Sequence, residues 1–290
     1  MSIRKKLRDS LPLIVMSPSL LAVTVCIYGF IAFTVLLSFT QSKMFPRYDF
    51  VGLGQYVRLF NNTRFQIAFV NIVIYASLYI VIGTALGLTI AILIDQRVRF
   101  EGLFRTIFLY PMALSFVVTG VVWQWILNPG LGIEKLVRSF GWASFEFRWL
   151  VDPDYAIYTV VIAGIWQITG FVMALFLAGL RGIDSEILKA ARIDGAPLWK
   201  TYLLIIIPAL RPVFLTALVI EAHMAIKSYD LVVALTKGGP GNSTELPSTF
   251  MYSSTFTRNE MGLGAASAVI MLMTVAAIIV PYLMSELKEK

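Results

Sequence analysis

Six long apolar segments constrain the fold of this chain more than any other feature of its sequence. They lie at residues 13–39, 66–94, 104–127, 155–180, 203–226 and 263–284. Each is long enough for a transmembrane helix, which needs about 20 predominantly apolar residues. A segment surrounded by lipid must satisfy its backbone hydrogen bonds internally, which favours helices. The sequence therefore predicts an all-α integral membrane protein with six transmembrane helices.

The composition supports this prediction. Hydrophobic residues make up 58% of the chain and charged residues 14%, whereas soluble domains carry about 25% charged residues. The first segment follows Arg4, Lys5, Lys6 and Arg8, as a signal peptide would. Its apolar run is about twice as long as the apolar region of a signal peptide. We therefore expect this segment to be retained as a helix.

Basic residues predict the orientation of the spans. An even number of spans places both termini on one side of the membrane. The stretches on that side (1–12, 95–105, 181–202, 285–290) are denser in Lys and Arg than those opposite (40–65, 128–154, 227–262). By the positive-inside rule, both termini are expected in the cytoplasm. The net charge of +7 then reflects orientation, and nucleic acid is not an expected partner.

The chain lacks the residue patterns of catalysis. Its one cysteine, Cys26, lies inside the first apolar segment, and its one histidine is His223. The motifs HExxH, GxSxG and GxxxxGK[ST] are all absent from the sequence. We therefore expect no catalytic residues, no metal site and no cofactor in this chain. If the protein moves a solute uphill, the energy must come from elsewhere.

A short polar block at 184–200 separates the fourth and fifth segments. Asp184 or Ser185 can cap a helix N-terminus, and Gly195 permits the turn that ends a helix. Pro197 suits the first turn of the next helix, and Pro208 and Pro212, with Arg211, favour a kink where the block enters the fifth segment. Small and apolar residues cover much of the first helix: Ile187, Leu188, Ala190, Ala191 and Ile193. Such a surface either docks into a groove or lies on lipid headgroups.

This block resembles the EAA loop in permease subunits of binding-protein-dependent ABC importers. The family pattern is Glu-Ala-Ala, three residues, Gly, nine residues, then Ile-x-Leu-Pro. The matching positions here are Lys189, Ala190, Ala191, Gly195, Ile205, Ile207 and Pro208. Lys189 stands where the family usually has Glu, and Ile207 replaces Leu. The resemblance implies a cytoplasmic coupling helix that docks into an ATPase subunit. We expect Gly195, Ala190 and Ala191 to allow close docking and Glu186 and Asp194 to supply polar contacts, with Glu186 taking the place of the glutamate that Lys189 replaces. Ala196 belongs to the same expected docking surface.

A second stretch, residues 228–244, resembles the LT-x-GGP-x-x-x-T signature of the maltose-transporter-like half of sugar importers. Leu235, Thr236 and Thr244 match it, together with the turn residues Gly238, Gly239 and Pro240. Gly-Gly-Pro favours a turn. On the outer face, where the predicted orientation places it, this turn is expected to meet an external binding protein.

Taken together, these resemblances cover nearly the whole chain and imply a type I ABC importer transmembrane domain at 66–285. Residues 1–65 would form the N-terminus, the first helix and an outer loop, and 286–290 a tail. The implied function is ATP-driven carbohydrate import across a bacterial or archaeal cell membrane. The implied partners are a homologous permease, two cytoplasmic ABC ATPase subunits that hold ATP and Mg²⁺, and an extracytoplasmic sugar-binding protein.

Polar residues late in the fifth segment are candidates for the substrate pathway. Ionisable residues within a span usually face a cavity or a partner. His223 and Lys227 share a helix face, and the resemblance implies that this stretch contributes polar groups to the sugar. We therefore expect His223, Lys227, Ser228 and Tyr229 along the pathway.

Trp166 and Gln167, near the middle of the fourth segment, are further candidates for sugar contact. Hydrogen bonding between helices is the alternative role for such residues.

Two other functions remain open at this point. A proton-coupled secondary transporter would use Glu221, His223 and Lys227 as a proton relay, but it leaves the EAA spacing unexplained. An ABC importer of a peptide or an ion is disfavoured by the Gly-Gly-Pro signature alone.

Overall fold

The computed structural model describes residues 15–44, 47–96 and 98–288. The basic residues Arg4 to Arg8 lie outside this part of the chain. The helices in it are α1 (Val15–Ser38), α2 (Gly54–Phe60), α3 (Thr63–Asp95), α4 (Glu101–Ala113), α5 (Phe116–Ile126), α6 (Ile133–Ser139), α7 (Ala156–Arg181), α8 (Ser185–Ile193), α9 (Leu198–Ala209), α10 (Arg211–Ile226), α11 (Asp230–Leu235), α12 (Pro247–Tyr252) and α13 (Met261–Lys288). An isolated antiparallel bridge joins Thr40 to Phe50.

Four of these helices are long and apolar enough to cross a membrane: α1, α3, α7 and the Met261–Tyr282 part of α13. Two further apolar stretches are bent helix pairs, α4 with α5 at 99° and α9 with α10 at 64°. Counting each pair as one span gives the six predicted spans. The predicted third and fifth segments therefore exist, but each consists of two helices.

Local sequence explains both bends. Pro111 lies in the last turn of α4, and Leu114 after it is extended. Ser115 then starts a new helix, because its hydroxyl accepts a hydrogen bond from the backbone N–H of Val117 at 3.2 Å. The second bend occurs at Leu210, and Pro212 lies in the first turn of α10. The kink predicted at Pro208 and Pro212 is confirmed.

The chain divides into two compact units, and the larger one comprises Asn62–Phe250 and Met271–Lys290. Its central helix is α7, which packs against α3 and α4. The core here is aromatic and aliphatic, and its fully buried side chains include Tyr75, Val160, Val172, Met173 and Phe176. In the same unit, α10 packs on α3, and α11 packs on α5.

Glycine permits the closest helix contacts in this unit, as is common in membrane helix pairs. A side chain at Gly170 of α7 would collide with the backbone carbonyl of Phe108 in α4. A Cβ at Gly87 of α3 would lie 2.6 Å from a methyl group of Val172. The α7 helix therefore meets its neighbours at distances that larger residues would not allow.

Replacing Gly170 by alanine is expected to disrupt folding, because the carbonyl of Phe108 is backbone and cannot rotate away. The overpacking should cost about 3 kcal/mol or more. The amount of folded protein in detergent-solubilised membranes measures this effect. Gly102→Ala is the matched control in α4, since a Cβ there meets nothing within 4 Å. Equal yields of the two variants would contradict the prediction.

The smaller unit comprises the described residues up to Asn61 together with Met251–Ile270. Within it, the side chain of Gln55 donates a hydrogen bond to the carbonyl of Thr40 at 2.9 Å. The N–H of Gly262 donates to the carbonyl of Ser42 at 2.9 Å. These bonds hold α2 and the start of α13 against the loop that follows α1.

Candidate functional site

A small cavity lies beside the C-terminal end of α10. It encloses about 80 Å³ and is lined by Phe116, His223, Met224, Lys227, Ser228, Tyr229, Asp230 and Leu231. The four residues predicted from the fifth segment are thus brought together. They lie where α10, α11 and the start of α5 meet.

The four residues present different groups to this cavity. The side chains of His223 and Lys227 are exposed, and Tyr229 is half-buried. Ser228 is buried: its hydroxyl donates to the carbonyl of Met224 at 3.0 Å and pairs with the hydroxyl of Tyr75 at 3.1 Å. Ser228 therefore ties α10 to α3, and the exposed polar side chains of the cavity are those of His223, Lys227 and Asp230.

Glu221 lies on a different side of α10. It is fully buried, and its Oε2 accepts a hydrogen bond from the hydroxyl of Thr84 at 2.7 Å. A Cβ at Gly83 would lie 2.5 Å from its Oε1. The carboxyl is thus packed against α3, away from the cavity residues. The structure does not assemble Glu221, His223 and Lys227 into a relay.

Gln167 and Trp166 do not line this cavity. The Gln167 side-chain nitrogen donates to the carbonyl of Leu114 at 2.9 Å. Leu114 lies at the break between α4 and α5, where helix carbonyls lose their usual partners. The Trp166 ring packs edge-on against Trp123 with 5.9 Å between centroids. Contact of these two residues with a substrate remains a prediction.

The predicted Gly-Gly-Pro turn is a compact loop between α11 and α12. The hydroxyls of Thr236 and Thr244 lie 2.7 Å apart, and the Thr244 hydroxyl donates to the carbonyl of Gly239 at 2.9 Å. Gly238, with φ of 83°, adopts a left-handed conformation that suits glycine. The first and last threonines of the signature therefore close the loop, leaving Gly238, Gly239 and Pro240 half-buried at its tip.

A buried ion pair fixes this loop, and sequence reasoning missed it. Glu245 follows the last threonine and is 2% exposed. Arg64, at the start of α3, donates from Nε to Glu245 Oε2 at 2.8 Å and from a second nitrogen to Oε1. The side-chain nitrogen of Asn71 donates to the Glu245 carbonyl at 3.0 Å. Because 181 residues separate Arg64 from Glu245, no local pattern signals the contact.

The predicted helix, turn and helix at 184–200 are confirmed. The N–H of Glu186 donates to the Asp184 carboxylate at 2.9 Å, which caps α8. Gly195 has a φ of 71°, and the next N–H, of Ala196, donates to the carbonyl of Ala191 at 3.0 Å. This geometry ends a helix with a left-handed glycine and lets α9 begin at Leu198.

One side of this block is exposed and strongly apolar. Ile193 is 85% exposed, and Ile187, Leu198 and Trp199 are exposed as well. The predicted coupling residues Glu186, Lys189, Ala190, Asp194 and Gly195 are also exposed, whereas Ala196 is half-buried and Ala191 buried. The small side chain of Ala191 thus packs against the rest of the chain, while the other residues are available to a partner.

The Lys189 side chain, at the position where the resemblance implies a glutamate, pairs with Glu186. Its Nζ lies 2.8 Å from Glu186 Oε1, and both side chains are mostly exposed. Surface pairs of this kind are worth about 0.3–0.5 kcal/mol on a helix. Both groups can therefore exchange this contact for one with a partner at little cost.

The inner side of the block covers a second cavity of about 370 Å³. It is lined by Asp95, Gln96, Leu188, Ala196, Leu198, Thr201, Tyr202 and Ile206. Nearby, Arg181 at the end of α7 contacts Glu101 at 2.7 Å and Asp95 at 3.7 Å. The ends of α3, α4 and α7 are thus held together at the base of the block.

Comparison with known proteins gives a consistent result. The family of binding-protein-dependent transport system inner membrane components matches residues 83–288. A probable ABC transporter permease of Pyrococcus horikoshii is 38% identical over 92% of this chain and 92% of its own length. A xylose/arabinose import permease of Haloferax volcanii is 34% identical over 92% of this chain and 84% of its own.

The same fold occurs in a solved structure of a bacterial alginate ABC transporter in complex with a periplasmic protein that carries an alginate pentasaccharide. The matching chain is 19% identical, with a TM-score of 0.83 over 97% of this chain and 95% of that one. The predicted all-α membrane fold, that of a type I ABC importer, is confirmed. This chain belongs to the family of inner membrane components of binding-protein-dependent transport systems, and it is a membrane translocation subunit rather than an enzyme.

Proposed function

We propose that this chain is one of two permease subunits in an ATP-driven carbohydrate importer. The observation that carries the proposal is the exposed helix–turn–helix at 184–200, which has the spacing of an EAA loop within the region of family similarity. A chain without a nucleotide-binding motif needs such a surface to couple its movement to ATP hydrolysis in a separate ATPase subunit. Two ATPase subunits in the cytoplasm, holding ATP and Mg²⁺, are the partners that this surface fits.

A continuous helical path supports the transmission of motion from this block. The α9 helix leaves the Gly195 turn, contains a π-helical stretch at Tyr202–Ile206, and joins α10 at a 64° bend. Such π-helical turns occur often at functional sites. The far end of α10 carries His223 and Lys227 into the small cavity. We propose that displacement of α8 by an ATPase shifts α10 and thereby reshapes the pathway.

The pathway itself is shared with a second permease in this proposal. A cavity of about 80 Å³ is smaller than the roughly 300–1,000 Å³ typical of ligand pockets. It is therefore suited to form one wall of a larger site. His223, Lys227 and Tyr229 offer donors, acceptors and an aromatic ring, which suit a ligand rich in hydroxyl groups.

The sugar class rests on the Gly-Gly-Pro loop and on the relatives. The Haloferax volcanii relative is a xylose/arabinose import permease. We place the Gly238–Gly239–Pro240 loop on the outer face, opposite the coupling block, where it meets a sugar-binding protein. Both termini then lie in the cytoplasm. The binding protein selects the sugar in this arrangement, so the loop recognises a protein surface.

Affinity purification of the tagged chain from gently solubilised membranes tests the proposal. We expect a second permease and an ATPase to copurify in stable ratio, and the ATPase activity to rise when the sugar-loaded binding protein is added. Recovery of the chain alone, with uptake that collapses when the proton gradient is removed, would contradict it and favour a secondary transporter.

Two cavity substitutions test the pathway. Lys227→Ala and Tyr229→Ala each remove a group that lines the cavity, and a hydrogen bond involving a charged group contributes about 1.5–3 kcal/mol. We therefore expect a roughly tenfold or larger loss of sugar uptake for Lys227→Ala, and a smaller loss for Tyr229→Ala. Lys135→Ala, at an exposed lysine elsewhere, is the control. Normal uptake rate and apparent affinity in both cavity variants would rule out this pathway.

A further inference from the structure

The short helix α6 has its polar and apolar sides reversed relative to an ordinary surface helix. Glu134 on this helix is 5% exposed, and its carboxylate contacts Arg138 Nη2 at 2.8 Å and accepts from the N–H of Phe147 at 3.1 Å. Arg138 also donates from Nε to the carbonyl of Phe145 at 2.7 Å. The charged side of α6 is therefore held against the chain's own loop.

The opposite side of α6 is an exposed apolar stripe. Ile133, Leu136 and Phe140 recur at spacings of three and four residues, which places them on one helix face. Leu136 is 56% exposed and Phe140 is 84% exposed. Two further exposed apolar residues flank the helix, Leu131 before it and Trp142 after it. A soluble amphipathic helix turns such a face toward its own core, so this stripe requires another cover.

We propose that the α6 stripe lies on the membrane surface and anchors the loop between α5 and α7 in the lipid headgroup region. The short connection Leu127–Gly132 links α6 to the apolar helix α5. The last turn of α5 carries two exposed apolar residues, Trp125 at 68% and Ile126 at 39%. The stripe is therefore continuous with the surface of a membrane-embedded stretch.

Residue types on and around α6 match a lipid interface. Phe140 and Trp142 are aromatic, and aromatic rings, tryptophan above all, collect at the level of the headgroups. Arg148 is exposed in the loop that follows them, and basic side chains are attracted to anionic lipids. A helix in this position lies in the plane of the interface with its apolar face buried about 5–10 Å.

This anchor would give the loop a mechanical role. The loop joins the bent α4–α5 pair to the central helix α7, and its aromatic rings Phe147, Trp149 and Tyr155 stack in sequence. An anchored α6 holds this loop at a fixed depth while α10 and α11 move against α5. The inference concerns only the lipid contact and does not depend on which solute is transported.

Site-specific labelling tests the proposal directly. The only cysteine of this chain is Cys26, so Cys26→Ser provides a background into which Phe140→Cys or Lys135→Cys is introduced. Each variant is purified with its copurifying subunits, labelled with the fluorophore NBD, and placed in nanodiscs containing phosphatidylcholine with a nitroxide at acyl carbon 5. The Cys26→Ser protein gives the background labelling of other subunits.

The two positions lie on opposite faces of a helix that is about 10 Å across. We therefore expect nitroxide lipid to quench the label at position 140 roughly twofold more than at position 135, given the shallow burial of an interfacial helix. Equal quenching at the two positions would overturn the proposal. So would a label at position 140 that lipid does not quench but that changes emission when the binding protein is added, which would make the stripe a protein-binding surface.

Discussion

Replacing Arg64 by alanine is expected to destabilise this protein strongly. The substitution leaves the Glu245 carboxylate, whose side chain is 3% exposed, without its charged partner. Removing one member of a buried ion pair costs about 3–5 kcal/mol, because the remaining charge stays desolvated. The Gly-Gly-Pro loop, which ends immediately before Glu245, would lose its charged contact with α3 and keep the hydrogen bond from Asn71 to the Glu245 carbonyl.

Thermal unfolding of the purified protein measures this effect, and the melting temperature should fall by roughly 10 °C. Arg58→Ala is the matched control. Arg58 pairs with Glu260, but its side chain is 54% exposed and that of Glu260 is 27% exposed. Surface pairs contribute at most about 1 kcal/mol, so this variant should melt close to the native protein. Similar melting of the two variants would contradict the assignment.

A double substitution separates the cost of the orphaned charge from the value of the pair. Arg64→Leu combined with Glu245→Leu removes both charges, and apolar residues of similar volume often replace buried pairs without loss. We expect the double variant to recover much of the stability that Arg64→Ala loses.

Helices with long apolar runs were predictable from the sequence because the bilayer dictates their length. The predicted segments 66–94 and 155–180 agree with α3 and α7 to within a few residues. The helix–turn–helix at 184–200 could be predicted equally well, because its cap residue, its left-handed glycine and its proline act on the backbone locally. Where the sequence specifies backbone conformation residue by residue, reasoning from local patterns is sufficient.

Contacts between distant residues were not predictable in this way. Pro111 and Ser115 locate the break at Leu114, but the partner of the Leu114 carbonyl is Gln167, 53 residues away. The proton-relay alternative grouped Glu221 with His223 because both side chains are ionisable. Residues two apart point to nearly opposite sides of a helix, and the packing of α10 on α3 determines which side becomes the interior.

Replacing Gly195 by valine is expected to abolish most ATP-driven uptake while leaving the membrane helices folded. The φ of Gly195 is 71°, a conformation that costs an ordinary residue about 1–2 kcal/mol, and more for a β-branched one. A Cβ at this position meets nothing within 4 Å, so the strain falls on the turn alone. Relaxing it breaks the hydrogen bond from Ala196 to Ala191 and changes the angle between α8 and α9.

Because Gly195 is exposed beside Ala190 and Asp194, a side chain there would also stand between the block and an ATPase docked on it. We expect sugar uptake in membrane vesicles to fall at least tenfold, since a loss of about 1.4 kcal/mol in coupling already corresponds to that factor. Stimulation of the ATPase by the loaded binding protein should fall in parallel. The amount of assembled permease should stay near normal.

Two control substitutions distinguish the causes of this loss. Gly130 has a similar φ of 78° and equally open surroundings, so Gly130→Val imposes the same backbone strain in a different loop and should leave coupling intact. Asparagine tolerates the left-handed conformation, so Gly195→Asn adds bulk without strain. If Gly195→Asn is also inactive, the glycine is needed because it lets the ATPase approach closely. If Gly195→Asn transports normally, the glycine is needed for the conformation of the turn. Normal uptake by Gly195→Val itself would show that this block does not couple the permease to ATP hydrolysis.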